Sequence, residues 1–295
     1  MSCYKKVLLT GATGLIGKEL IKPLREHGFD IYAITIDDIN SDNDVNWIKC
    51  NLFDEISVKQ VFENIKPEYF LNMAWCTTGD YLSSDKNYDF LEAGINLLKC
   101  FKENGGKRAV FAGTCFEYKF KDEPLKETDE LEPEKTVYTY CKNKLHEIAQ
   151  YYCKQNGISF GWGRIFYVFG RDESKTRLTG MVIDKLNNNE KVIIKNSDLL
   201  KDYMYTKDIA GAFAKFLDCD IEDTVNICTG KTISVGDYVL KIARYFGKEY
   251  LIELKNEKTN QPKIISGDNT KLTKEVGYKI QFSTDKAIED ILKED

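Results

Sequence analysis

The chain has 295 residues, about two domains' worth, and its 42% hydrophobic content leaves ample apolar material for a core. Disorder and a small disulfide-stapled scaffold are therefore excluded. With 42 Lys and Arg against 47 Asp and Glu the formal charge is −5, so no global field attracts nucleic acid or a membrane surface, and an anionic ligand needs a local basic site.

In chain order, short β-branched runs alternate with helix-period segments over the first 165 residues. Strands are predicted at Lys6–Thr10, Ile31–Ile36, Trp47–Cys50, Tyr69–Ala74, Arg108–Gly113 and Ser159–Ile165. Helices are predicted between them at Leu15–His27, Ser57–Ile65, Tyr88–Asn104 and Val137–Asn156. That alternation predicts an α/β fold, a doubly wound parallel sheet covered on both faces. After Gly170 the elements shorten: helices near Thr179–Asn187 and Lys207–Leu217, strands at Val192–Ile194 and Val225–Cys228, and a helix opened by Ser234 with Asp237 in a capping-box-like spacing. We expect a dinucleotide-binding domain over 1–165, to which segments around 202–228 return, and a smaller mixed α/β substrate domain over 166–295.

The first strand runs into Thr10-Gly11-Ala12-Thr13-Gly14-Leu15-Ile16-Gly17 and then into a helix. Glycines three apart at a strand-to-helix junction allow a tight turn and close approach of a pyrophosphate to free N–H groups at the helix start. Pro23, inside that helix, is expected to kink it. An acidic residue at the end of the second strand would bind the ribose 2′-OH of NAD, and the position holds Thr35. Its hydroxyl favours NADP(H); Asp37 two residues on, and the lack of a following Arg, keep NAD(H) open.

Tyr and Lys recur four apart in Tyr138-Thr139-Tyr140-Cys141-Lys142-Asn143-Lys144, which puts a phenol and an ammonium on one helical face in either register. A nearby cation favours the phenolate, and lowering the phenol pKa by about three units takes roughly 4 kcal/mol. Nine cysteines without a Cys-x-x-Cys pair read as free thiols, and two histidines, His27 and His146, leave no His-based triad or multi-His metal site. The first residues, Met1 to Lys6, lack the apolar stretch of a signal peptide, and no run of about 18 apolar residues occurs, so a cytoplasmic protein without a membrane span is expected.

Together these features resemble the extended short-chain dehydrogenase/reductase family, in particular its nucleotide-sugar epimerases, dehydratases and 4-ketoreductases, over essentially the whole chain. The resemblance implies a Rossmann-type sheet. It places Asn51-Leu52 where the family has an adenine-contacting Asp-Leu, and Met73-Ala74-Trp75 in the fourth-strand cofactor segment. It gives Thr114, in Phe111-Ala-Gly-Thr114-Cys-Phe-Glu-Tyr118, the role of catalytic Ser or Thr, and selects Tyr138 with Lys142 over Tyr140 with Lys144. Tyr167 stands where many members have a phosphate-binding Asn, and Lys201 where an Arg touches the diphosphate. Arg164, Arg171 and Arg177 are further diphosphate candidates, for each of which a surface or hinge salt bridge is as good a reading. Cys115 and Glu117 border the site, with packing an equal alternative for Cys115. Asp268 to Tyr278 resembles the family's closing helix, and dimerisation through the helices at 88–104 and 137–156 is implied.

The reaction depends on what accompanies Thr114. Dehydratases of this family have Asp and Glu next, and this chain has Cys115 and Phe116; sugar decarboxylases have Glu where Phe116 stands. The Cys of the GDP-fucose synthase type lies two residues after the Ser or Thr rather than one, and its substrate-domain His has no counterpart after His146. The resemblance therefore implies NADPH-dependent reduction of the C4 keto group of a nucleotide-linked 6-deoxy sugar. Alternatives are a 4-epimerase with tightly bound NAD and a nonenzymatic dinucleotide sensor on the same fold.

Overall fold

The computed structural model describes residues 5–38 and 44–293; Met1 to Tyr4, with Cys3, lie outside the described residues. The first half alternates β1 (Lys5–Thr10), α1 (Gly17–Glu26), β2 (Phe29–Thr35), β3 (Asn46–Lys49), α2 (Glu55–Ile65), β4 (Tyr69–Asn72), α3 (Lys86–Glu103), β5 (Arg108–Thr114), α4 (Val137–Asn156) and β6 (Ser159–Ile165). The second half adds β7 (Tyr167–Phe169), α5 (Leu178–Asn187), β8 (Val192–Ile194), β9 (Leu200–Lys201), β10 (Tyr203–Tyr205), α6 (Thr206–Leu217) and β11 (Thr224–Ile227). It ends with β12 (Ile233–Ser234), α7 (Val235–Tyr245), β13 (Ile252–Leu254), β14 (Ile264–Ile265) and α8 (Thr284–Leu292).

Seven strands form one parallel sheet in the order β11-β6-β5-β4-β1-β2-β3. Order reverses beside β1, between the crossovers to β2 and β4, where the carboxyl ends of an open α/β sheet leave a crevice. Each face is buried by a separate apolar cluster. One packs Val7, Leu9 and Ile31 against Leu20 and Leu24 of α1 and Phe213 and Phe216 of α6. The other packs Leu8, Phe70, Phe111 and Trp162 against Phe62 of α2, Phe101 of α3 and Leu145 of α4. Helix starts are fixed locally: Asp54 caps α2, Thr136 caps α4, and the Ser234 hydroxyl accepts the Asp237 N–H at 2.9 Å at the start of α7.

The remaining strands pair in short two- and three-stranded sheets, around a third core of Phe169, Val182, Tyr203, Tyr238 and Ile288. The helix expected over Asp268–Tyr278 is instead a five-residue π turn, Lys271–Glu275, and the closing helix is α8. Asp208 explains the break, because its carboxylate accepts the Tyr278 hydroxyl and the Gln281 and Phe282 N–H groups and so holds that stretch extended. Helix α1 continues through Pro23 to Glu26. Among the described residues no helix is long and apolar enough to cross a membrane.

Candidate active site

A cleft of about 180 Å³ opens at the carboxyl ends of β1, β4 and β5. One wall is Gly11, Gly14, Leu15, Ile16 and Gly17; the other carries Thr114, Tyr138 and Lys142, with Met73, Trp75, Tyr81, Phe116 and Arg177 around them. Gly11 has φ +73°, and a Cβ there would lie 2.8 Å from the Ala74 nitrogen. A Cβ on Gly17 would lie 1.9 Å from the Gly11 oxygen, so the turn closes only on glycine. No side chain caps α1 at Ile16; the Lys18 and Glu19 N–H groups turn back to the Gly14 and Ile16 carbonyls, and the positive end of the helix faces the loop. The loop fits a dinucleotide pyrophosphate.

Thr114 ends β5 and is also a helix cap. Its hydroxyl accepts the Phe116 N–H at 3.2 Å, while Glu117 reaches back to the Thr114 N–H at 2.7 Å, a capping box around the 3₁₀ turn Cys115–Glu117. Tyr138 lies in the first turn of α4 and Lys142 one turn later, and both are buried. The Thr114 side chain favours ionisation of the Tyr138 phenol against the effect of burial. The Tyr138 ring packs edge-on to Tyr81 and Trp75 at 5.1 and 6.2 Å, and its N–H donates to the Leu82 carbonyl. Tyr140 is 38% exposed and Lys144 pairs with Glu147 on the surface, so the second register faces away from the cleft.

Lys142 reaches from α4 to the end of β5 and the Trp75 ring. Its Nζ donates to the Ala112 carbonyl at 2.8 Å and sits 3.8 Å from the centre of the Trp75 ring. Burial drives its pKa down to about 7, opposed by the charge of Glu117. Burial likewise pushes the Tyr138 phenol well above its ordinary value, with the Thr114 side chain opposing it. At neutral pH Tyr138 is therefore a protonated phenol, the state a proton donor requires.

The other sequence candidates separate. Arg164 and Glu117 do not reach the cleft: they form a buried ion pair at 2.7 Å, with side chains 2% and 0% exposed. Period-2 alternation on β6 puts Arg164 on the buried face of Trp162, so its side chain turns away from the cleft. Cys115 is buried among Tyr118, Leu125 and Cys228, and burial raises its thiol pKa, so it packs rather than lining the cleft. Arg171 donates to the carbonyls of Asp290 and Lys293 at the end of α8. Arg177 does line the cleft, held by Glu173 at 3.0 Å. Lys201 and Tyr167 line a second cleft with Leu178, Met181, Asn196 and Tyr203, the Lys201 ammonium 5.3 Å from the Tyr167 ring.

On the cofactor side, Thr35 ends β2 with its hydroxyl accepting the Asp37 N–H at 3.0 Å. Thr13 is exposed on the loop, the Asn51 side chain accepts the Phe53 N–H, and Leu52 packs on the sheet. The Ala74 N–H donates to the Thr10 hydroxyl. Sequence reasoning missed Tyr81 and Trp162. Tyr81 sits in an irregular loop with no periodic signal, whereas Trp162 shares the buried strand face with Phe160.

Residues 7–228 match the NAD dependent epimerase/dehydratase family. The chain belongs to that family. Among curated epimerase/dehydratase relatives it is similar to CDP-abequose synthase of Salmonella typhimurium, 24% identical over 97% of both chains. It is also similar to dTDP-4-dehydro-6-deoxyglucose reductase of Escherichia coli, 27% identical over 97% of this chain and 96% of the other. In fold it resembles the UDP-glucose 4-epimerase of Thermus thermophilus in complex with NAD, with a TM-score of 0.83 at 20% identity over 97% and 98% of the two chains.

Proposed function

We propose that this epimerase/dehydratase family member reduces the C4 keto group of a nucleotide-linked 6-deoxy sugar. The observation that carries the reading is the composition of the cleft. Thr114 and Tyr138 line the same cleft as the glycine loop, while no carboxylate lines it among the described residues. Elimination of water or carbon dioxide needs a further acid or base beside Thr114, and Cys115 is buried and Phe116 inert. The names of the abequose synthase and keto-sugar reductase relatives support the same choice.

Gly11, Gly14 and Gly17 would hold the pyrophosphate of a dinucleotide, which when bound would supply the hydride from its nicotinamide. Thr114 and Tyr138 hold the C4 oxygen by hydrogen bonds, and Tyr138 gives its proton to the oxygen as charge develops there. Lys142 carries the positive charge beside that wall and, by the family resemblance, binds the nicotinamide ribose. Arg177 holds the sugar diphosphate from the rim, and the second cleft, with Lys201 and Tyr167, takes the nucleotide. For the coenzyme, Thr35 keeps a hydroxyl where NADP(H) brings its extra phosphate, whereas Asp37, Asp38 and the pairing of Lys49 with Asp38 favour NAD(H). Titration with NADH and NADPH decides, tighter NADPH binding upholding Thr35. A dimer through α3 and α4 is part of the reading, supported by exposed Tyr88, Ile148 and Tyr151.

The test is reduced coenzyme mixed with a panel of nucleotide 4-keto-6-deoxy sugars. Stoichiometric oxidation is expected. Interconversion of C4 epimers with no net coenzyme consumption overturns the reading in favour of a 4-epimerase, the activity named for the Thermus neighbour. Coenzyme binding with no turnover on any sugar identifies a sensor.

A further inference from the structure

Behind Thr114 lies a cluster that the proposed chemistry does not use. Glu117 is wholly buried and accepts the Thr114 N–H at 2.7 Å, the Trp162 indole N–H at 3.1 Å and the Arg164 Nε–H at 2.7 Å. Gly113 makes the room, since a Cβ there would lie 2.2 Å from the Trp162 nitrogen and 2.6 Å from the Glu117 carboxylate. The Arg164 guanidinium is shared with the Tyr118 ring at 4.5 Å and the Glu127 carbonyl.

A buried ion pair is a poor way to gain stability, because desolvating both charges consumes most of their attraction and a well-packed apolar pair does as well. The cap on Thr114 needs only a neutral acceptor, which Gln provides. Arg164 is the direct partner of that negative charge, and Lys142 is a second buried cation behind the same ring: its ammonium lies 6.0 Å from the centre of the Trp162 ring whose N–H Glu117 holds. We propose that Glu117 is a positioning residue, which fixes Thr114 through its backbone N–H and serves as the counter-charge of the buried Lys142 ammonium.

The titratable and charged groups that line the cleft with Lys142 are Tyr81, Tyr138 and Arg177, the last paired with Glu173, and behind its wall Glu117, Arg164, His146 and Cys115 cluster around Thr114 and Trp162. Burial and the Glu117 charge are the influences that move Lys142. His146, stacked on Trp162 at 4.6 Å, is held neutral by burial with a pKa of about 4. Tyr81, Cys115 and Tyr138 stay protonated because burial raises each of them. Arg164 is committed to Glu117.

The catalytic half of this proposal rests on the reductase reading; the electrostatic half does not, and the experiment separates them. The protein is labelled with 13C at the lysine ε-carbons, and the Lys142 signal is assigned by its loss in Lys142→Arg. Its titration is then followed in the wild type, in Glu117→Gln and in Glu117→Gln/Arg164→Met. The double variant strands no unpaired guanidinium and keeps an amide to accept the Thr114 and Trp162 N–H groups. A downward shift of the Lys142 midpoint by about one pH unit or more is expected in Glu117→Gln, by the usual effect of losing a close opposite charge, and a smaller downward shift in the double variant, where the loss of the Arg164 cation offsets part of it. With a keto sugar, kcat at pH 7 falls about tenfold or more while KM is nearly unchanged. A Lys142 midpoint that stays at its wild-type value in the folded variants overturns the proposal. If the midpoint shifts and the wild type oxidises no reduced coenzyme with any keto sugar, the counter-charge role stands and the reductase reading fails.

Discussion

Lys142→Met is expected to stabilise the protein and abolish its turnover. Burial lowers the Lys142 pKa from 10.5 to about 7, and at about 1.4 kcal/mol per unit the folded state carries a penalty of about 5 kcal/mol for the charged form. Methionine keeps the length and apolar stem but gives up the hydrogen bond to Ala112 and the contact over Trp75. Those losses cost about 2–4 kcal/mol together, which leaves a net gain of about 1–3 kcal/mol below pH 7. In a chain of this size that raises Tm by roughly 2–5 °C. The pH dependence follows from the depressed pKa. Between pH 7 and about 10.4 the unfolded chain holds the lysine proton and the native state does not, so wild-type stability rises with pH across that window. The advantage of the methionine variant is therefore largest near pH 6 and fades toward pH 10. Thermal melts at three pH values, with coenzyme oxidation measured in parallel, test this. A lower Tm at pH 6, or a gain that does not change with pH, refutes the reasoning about the buried ammonium.

Tyr138→Phe is expected to lower kcat by about 10²–10⁴ with the fold intact, by loss of the proton donor, whereas Tyr140→Phe changes it less than about twofold; steady-state kinetics that rank the two the other way reject the chosen register. Gly17→Ala places a Cβ 1.9 Å from the Gly11 oxygen, so it is expected to abolish dinucleotide binding in calorimetry and to lower Tm. If the proposed α3–α4 dimer forms, the pair Ile148→Glu/Tyr151→Arg on α4 is expected to convert it to monomers in analytical ultracentrifugation with the melting profile otherwise cooperative; a monomeric wild type or an unchanged sedimentation coefficient refutes that dimer.

How much is legible in the sequence depends on the length of each element. Helix α4, with Tyr138, Cys141, Leu145, Ala149 and Cys153 buried at helical spacing, and strand β6, with Phe160 and Trp162 alternating, have a periodicity that reads directly. Two- and three-residue strands such as β9, β10 and β14 have no period to read. Helix α8 is masked by the lysines around it, although Ala287, Ile288 and Ile291 mark its buried stripe. At the site, the glycine loop and the Tyr138–Lys142 spacing are local patterns, and the structure brings both to one cleft with Thr114. Glu117 and Arg164 are misplaced when charge is read as exposure. Thr114-x-x-Glu117 is a capping-box spacing, and Arg164 follows Trp162 by two on a buried strand, so both cues are present in the sequence.

Strand β11 occupies the outer place beside β6, but it lies 59 residues further along the chain than the end of β6 at Ile165. During synthesis the six earlier strands are available well before Thr224–Ile227 emerges, and until then β6 presents a bare hydrogen-bonding row next to the apolar patch that α6 will cover. A nascent or truncated polypeptide ending before that point thus offers a template for strand addition by another chain, and interruption of translation there favours aggregation over a stable half-protein.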